Sequence, residues 1–88
     1  MATTDVDLDT ALKALRLLDE LVEQQREKVR ALARRIHPGL TDADLRDVRE
    51  FRDVHGDPAF QFEEGQLAGL VAAQLGLKGR LLGGALPT

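Results

Sequence analysis

The 88-residue chain contains no cysteine, serine, tyrosine or tryptophan. Without cysteine it forms neither disulfides nor thiolate metal sites, and its redox compartment stays undetermined. The absence of serine and cysteine removes the commonest nucleophiles, and the absence of tyrosine removes one of the usual general acids. No phosphate-binding glycine motif is present either. We therefore expect a non-enzymatic protein that has no cofactor.

Targeting and membrane segments are also missing from the sequence. The N-terminus MATTDVDLDT is acidic and carries neither a basic region nor an apolar core, so no signal peptide is expected. No run of about 18 apolar residues occurs, so no membrane-spanning helix is expected. Both absences predict a cytoplasmic location. Arginine outnumbers lysine nine to three, which indicates a bacterial source with a GC-rich genome.

An apolar stripe with a seven-residue period runs through the first part of the chain. Its a positions are Leu8, Leu15, Val22, Val29 and Ile36, and its d positions are Ala11, Leu18, Gln25 and Leu32. The stripe predicts one uninterrupted helix over residues 8–36, capped by Asp7 or Asp9 and ended by Pro38. At 1.5 Å per residue this helix is about 43 Å long, which exceeds the diameter of a compact domain of this size. The chain's own C-terminal helices, a second subunit or both should therefore pack along it.

The two halves of the stripe differ in width. Leu12, Leu17 and Leu21 widen the apolar face of the first half, which is typical of a helix inside a bundle. Along the stripe, β-branched Val22, Val29 and Ile36 lie at a and leucine lies at d at positions 18 and 32, a combination that favours a two-stranded parallel coiled coil. We expect the first half to lie in a bundle core and the second half to make fewer contacts. Gln25 is interpreted as a partly solvated position, with a register-setting contact to its symmetry mate as the alternative.

Two further helices are predicted after the first. Thr41 and Asp44 have the spacing of a capping box, which opens a second helix. That helix should carry Leu45, Val48, Phe51 and Val54 on one narrow apolar line. Gly56 is expected to be left-handed, and Asp57 should cap a third helix that begins at Pro58 and runs to about residue 82. Of Phe60 and Phe62, one should anchor the core and the other should meet a partner.

Together these helices predict an all-α fold. A long N-terminal helix packs against two shorter C-terminal helices, as a helical hairpin or a three-helix bundle, and the protein is oligomeric. Residues 1–88 form one domain, in which 1–7 are a disordered or capping N-terminus and 84–88 are a frayed tail.

Small residues recur on one side of the third predicted helix, namely Gly65, Gly69, Ala72, Gly76, Gly79 and Gly83. Each glycine inside a helix costs about 1 kcal/mol relative to alanine, so some other interaction should offset this loss. We favour close approach of another helix along the small side. The alternatives are a segment that becomes helical only on meeting a partner or membrane, and a helix that ends near Leu75.

Neither a metal site nor a nucleic-acid surface is expected from the charged residues. Asp53, His55 and Asp57 alternate near the second helix break, but with only two histidines in the chain we expect no metal site. The arginines of the first helix alternate with acids such as Glu23 and Glu27. Such alternation favours pairs within the helix over a basic surface for nucleic acid.

These observations favour a small protein that acts through protein–protein interaction, as an adaptor, chaperone-like or oligomerisation module. Its partner would be a second copy in a dimer, another protein, or both. The first alternative is an amphipathic module whose C-terminal helix, about residues 66–82, engages a membrane surface or hydrophobic partner. A nucleic-acid accessory role comes third. The predicted interface consists of Leu15, Val22, Gln25, Val29, Leu32, Ile36, Phe60, Gly65, Gly69, Ala72 and Gly76.

Overall fold

The fold is a helical hairpin, seen in a computed structural model that describes residues 7–83. Its elements are α1 (Leu8–Ile36), α2 (Asp42–Leu45), a 3₁₀ turn (Val48–Glu50), α3 (Arg52–His55) and α4 (Pro58–Gly83). The two long helices pack against each other, and the short elements connect them. The expectations for residues 1–6 and 84–88 lie outside the described residues.

Local signals set both ends of α1, and its predicted limits are confirmed. The Asp7 carboxylate accepts a hydrogen bond from the Thr10 backbone N–H at 2.8 Å, which satisfies one of the unpaired donors of the first turn. At the other end, Pro38 forces His37 out of the helical region, to φ −133°. Gly39 then takes φ +94°, a left-handed conformation that turns the chain back and that glycine adopts most easily.

The connection between the long helices differs from the prediction of one second helix. The Thr41–Asp44 capping box is present, but α2 ends after four residues and two more short turns follow. The apolar residues of this segment recur at every third position from Leu45 to Val54. In a straight α-helix each such step turns the side chain back by about 60°, so Leu45 and Val54 would point in opposite directions. Breaking the helix lets all of these side chains reach the same core.

The start of α4 is as predicted. Asp57 accepts a hydrogen bond from the Phe60 backbone N–H at 2.9 Å, and Pro58 is the first helical residue. Gly56 is not left-handed, since its φ is −86°; the alternative end near Leu75 is also wrong, since α4 continues to Gly83. At 26 residues α4 is nearly as long as α1, which makes the fold a hairpin and not a three-helix bundle.

Polar side chains between the long helices set their antiparallel register. The Gln25 amide donates to the backbone carbonyl and the carboxylate of Glu63, at 2.9 and 2.8 Å. The Gln74 amide donates to the Asp19 carboxylate at 2.7 Å. Gln25 is half-buried, as expected for a partly solvated position, and it binds α4 of its own chain.

The hydrophobic core lies at the end of the hairpin where α1 finishes. Ala33, Leu40, Val54 and Phe60 are buried there. Around them pack partly buried side chains, namely Val29, Leu32, Ile36, Leu45, Val48 and Phe51. The expectation that the first half of α1 is the bundled half is therefore wrong. The connection folds over the second half and adds a third layer to it, whereas α4 alone covers the first half.

Candidate functional site

Of the titratable groups that the sequence singled out, Asp53 and Asp57 have structural partners, whereas the exposed His55 contributes only its backbone carbonyl to a hydrogen bond, from Gln61. The His37 imidazole donates from Nδ1 to the Asp53 carboxylate at 2.8 Å, and its ring lies edge-on to Phe51 at 5.1 Å. Asp57 caps α4. No group of three metal-ligating side chains occurs among residues 7–83. These contacts hold the connection in place.

Two hydrogen bonds to aspartates, from His37 to Asp53 and from Thr10 to Asp7, should make the free energy of unfolding depend on pH. The hydrogen bond from His37 lowers the pKa of Asp53, and the hydrogen bond from the Thr10 backbone N–H lowers the pKa of Asp7. Because the folded-state pKa values lie below the unfolded ones, their contribution is full above about pH 4, the ordinary aspartate value. This stabilising contribution is lost as the pH falls through the lowered pKa values of the folded state. We therefore expect acid to destabilise the fold through these two carboxylates.

NMR titration of the carboxyl carbons measures this directly. In a His37→Ala variant the Asp53 pKa should return towards its ordinary value, because the hydrogen-bond donor is gone. The Asp7 pKa should stay lowered in the same sample, since its partner Thr10 lies at the opposite end of α1. An unchanged Asp53 pKa in this variant would show that His37 is not its stabilising partner.

Three of the five arginines of α1 lie in ion pairs, so the helix does not present a uniform basic face. The three pair with neighbouring acids: Arg26 with Glu23, Arg30 with Glu27, and Arg34 with Asp42. Arg34 also donates from Nε to the backbone carbonyl of Leu40 at 3.1 Å, which ties the connection to α1. Acids and bases thus alternate over this surface, an arrangement that gives little net attraction for a polyanion.

Large apolar side chains are exposed in the half of the hairpin that the connection does not cover. We call this the open half; it comprises residues 8–24 of α1 and residues 66–83 of α4. Its exposed leucines are Leu8, Leu12, Leu17, Leu21 and Leu75. Leu8 is 65% exposed, Leu17 58% and Leu75 61%. Leu8 and Leu12 lie on one flank of α1, and Leu17 and Leu21 lie about 180° round the helix on the other, so the open half presents two apolar flanks. Exposed apolar side chains concentrated in one half of a chain are typical of surfaces that other molecules cover.

The small side of α4 faces away from α1. Gly65, Gly69, Gly76 and Gly79 are exposed, and a Cβ added to any of them would meet no atom within 4 Å. Ala72 is also exposed. The close approach that we expected along these residues therefore does not occur within the described part of the chain. It is the large side of α4 that packs on α1.

An apolar groove runs along one edge of α4 beside α1. We call it the α4 groove; it is shallow and wide open to solvent, has a volume of about 470 Å³ and is lined by Leu67, Ala68, Val71, Ala72 and Leu75, together with Arg26 and Glu64. Its walls are apolar for most of their length, and the two charged residues belong to its rim. Such a shape suits the apolar side of another helix.

The predicted interface residues separate into two groups in the structure. The residues of the heptad stripe and Phe60 face α4, the connection and the core of their own chain: Leu15, Val22, Gln25, Val29, Leu32, Ile36 and Phe60. The small residues of α4 remain exposed. The predicted interface did not include Leu67, Val71 and Leu75, which follow one another at four-residue spacing on α4. A search for a second apolar stripe on α4 would have found them.

No protein-family model, curated protein or solved structure matches this chain. Among the described helices none is long and apolar enough to cross a membrane.

Proposed function

We propose that this chain is a non-enzymatic protein-interaction module whose open half is covered by another protein surface. The observation that carries the proposal is the exposure of the five leucines of the open half in the folded chain. Two rigid helices present these side chains, so a partner can bind without the cost of ordering a disordered segment.

Burial of these side chains would contribute several kcal/mol to the free energy of binding. Full burial of a leucine is worth about 1.5–3 kcal/mol, and these side chains are already partly covered. If a partner gains about 1 kcal/mol from each of several leucines, the sum corresponds to a change of several powers of ten in affinity. The adjoining stretch of α4 from Gly65 to Leu77 contains no charged residue, so an apolar helix can lie on it without burying a charge.

Substitution of two exposed leucines tests this proposal. A partner captured from the source cells is identified, purified and titrated against the wild-type chain and against a Leu17→Gln/Leu21→Gln variant. We expect the variant to bind at least about tenfold more weakly, because it loses apolar contacts to the partner. Both side chains are exposed, so the free energy of unfolding should change little.

The matched control is Ala31→Gln, an exposed position on the second half of α1. It adds the same side chain outside the open half and should leave affinity unchanged. Equal affinity of the wild type and of variants at all the exposed α1 leucines would contradict the proposal. Binding to anionic vesicles at low salt, with loss in the leucine variant, would instead favour the membrane alternative.

A further inference from the structure

The edge of α4 that lines the α4 groove has a symmetric sequence. Leu67 and Leu75 lie four residues before and after Val71. Glu64 and Lys78 lie seven residues before and after it. Spacings of four and seven residues keep side chains on one face of a helix. This face therefore has an apolar centre, an acid at one end and a base at the other.

A face of this kind is complementary to itself. If two copies meet antiparallel about a two-fold axis at Val71, Leu67 of each lies against Leu75 of the other. Glu64 of each then lies against Lys78 of the other, at both ends of the contact. A parallel arrangement would instead place like charges side by side, which is unfavourable.

We infer that the α4 groove is filled by the same face of a second copy, in an antiparallel two-fold dimer. This inference rests on the proposed function and names a second copy as the partner of one flank of the open half, the one that includes Leu75. Ala68 and Ala72 on the outer wall are small, so the two α4 helices can approach closely and the leucines can interdigitate.

The charges support a second copy over an unrelated partner. Glu64 is exposed and Lys78 half-buried, and within residues 7–83 neither takes part in an ion pair. The dimer supplies each of them with an opposite charge at the edge of an apolar contact. A partner of different sequence would not require the charges and leucines of this face to be placed symmetrically about Val71.

Charge reversal tests the contact in the full-length chain. Sedimentation equilibrium of the wild type, from micromolar to submillimolar concentration, should give a dimer. Glu64→Lys and Lys78→Glu, each alone, should raise the dimer Kd at least about tenfold, because each places like charges together at both ends. An equimolar mixture of the two variants should recover the wild-type Kd, because opposite charges then meet at both contacts.

One further variant controls for the change of charge itself. Glu20→Lys makes the same charge change on an exposed position of α1 and should leave the Kd unchanged. Circular dichroism of every variant checks that the helices are intact. A strictly monomeric wild type overturns the inference, while binding of a different protein to the open half can still be measured. A dimer unaffected by both reversals, or reversals that the mixture does not rescue, places the contact elsewhere and also overturns it.

Discussion

Replacement of Phe60 by alanine is expected to lower the free energy of unfolding by about 3–5 kcal/mol. Phe60 is 1% exposed and packs in the cluster of Ala33, Leu40 and Val54, where α1, the connection and α4 meet. Removing the ring leaves a cavity at the junction of all three layers. A domain of this size has about 5–15 kcal/mol of stability in total, so the loss is a large share of it. Urea unfolding followed by circular dichroism measures the change.

Phe62→Ala is the matched control, because it makes the same chemical change two residues further along α4. Phe62 is 63% exposed, so its loss should change the free energy of unfolding by no more than about 0.5 kcal/mol. Comparable losses at the two positions would show that the core is placed wrongly. Of the two phenylalanines, the structure places Phe60 in the core. Contact of Phe62 with a partner stays a prediction.

Replacement of Gly65, Gly69, Gly76 and Gly79 together by alanine is expected to stabilise the fold by about 2–4 kcal/mol. Each substitution removes the entropy cost of an interior helix glycine, about 0.5–1 kcal/mol. Apart from the adjoining backbone of α4 itself, no atom of the described residues lies within 4 Å of the position that any added Cβ would take, so no clash opposes the gain. Thermal and urea unfolding of the four-fold variant measure the change.

Two other glycines serve as controls for this prediction. Gly39 has φ +94°, so Gly39→Ala should destabilise the chain by about 1 kcal/mol although its surroundings are open. A Cβ at Gly56 would lie 3.0 Å from the Arg52 carbonyl, so Gly56→Ala should give no gain. Loss of stability in the four-fold variant would mean that another surface already covers the small side of α4.

The limits of the long helices could be predicted because they depend on neighbours in the chain. Asp7 caps the turn that follows it, and Pro38 excludes the helical conformation for His37 whatever lies nearby. The same holds for Asp57 and Pro58 at the start of α4. Capping signals alone do not predict that the connection breaks into short turns. The break occurs because its apolar side chains, three residues apart, must all reach a core that lies on one side.

The candidate surface was only partly predictable. The heptad residues from Ala11 to Ile36 form a buried or half-buried seam as predicted, whereas Leu8 is exposed. Pattern alone does not distinguish burial within one chain from burial between two. The helical spacing of Leu67, Val71 and Leu75 can be seen in the sequence. That these residues line a groove depends on the position of α1 beside α4, which only the tertiary structure gives. Likewise, the sequence shows that the apolar face is wide on the first half of α1, but only the tertiary structure shows that its outer leucines stay exposed.

By itself, the sequence determined an all-α chain with two long helices, their caps and their apolar sides, because these depend on interactions within one or two helical turns. Tertiary structure alone decided which half of α1 is covered. The connection is short, and it folds over the end of α1 that it leaves, around Leu40, Val54 and Phe60. The open half therefore keeps the leucines and the α4 groove exposed, although its sequence is the more apolar of the two.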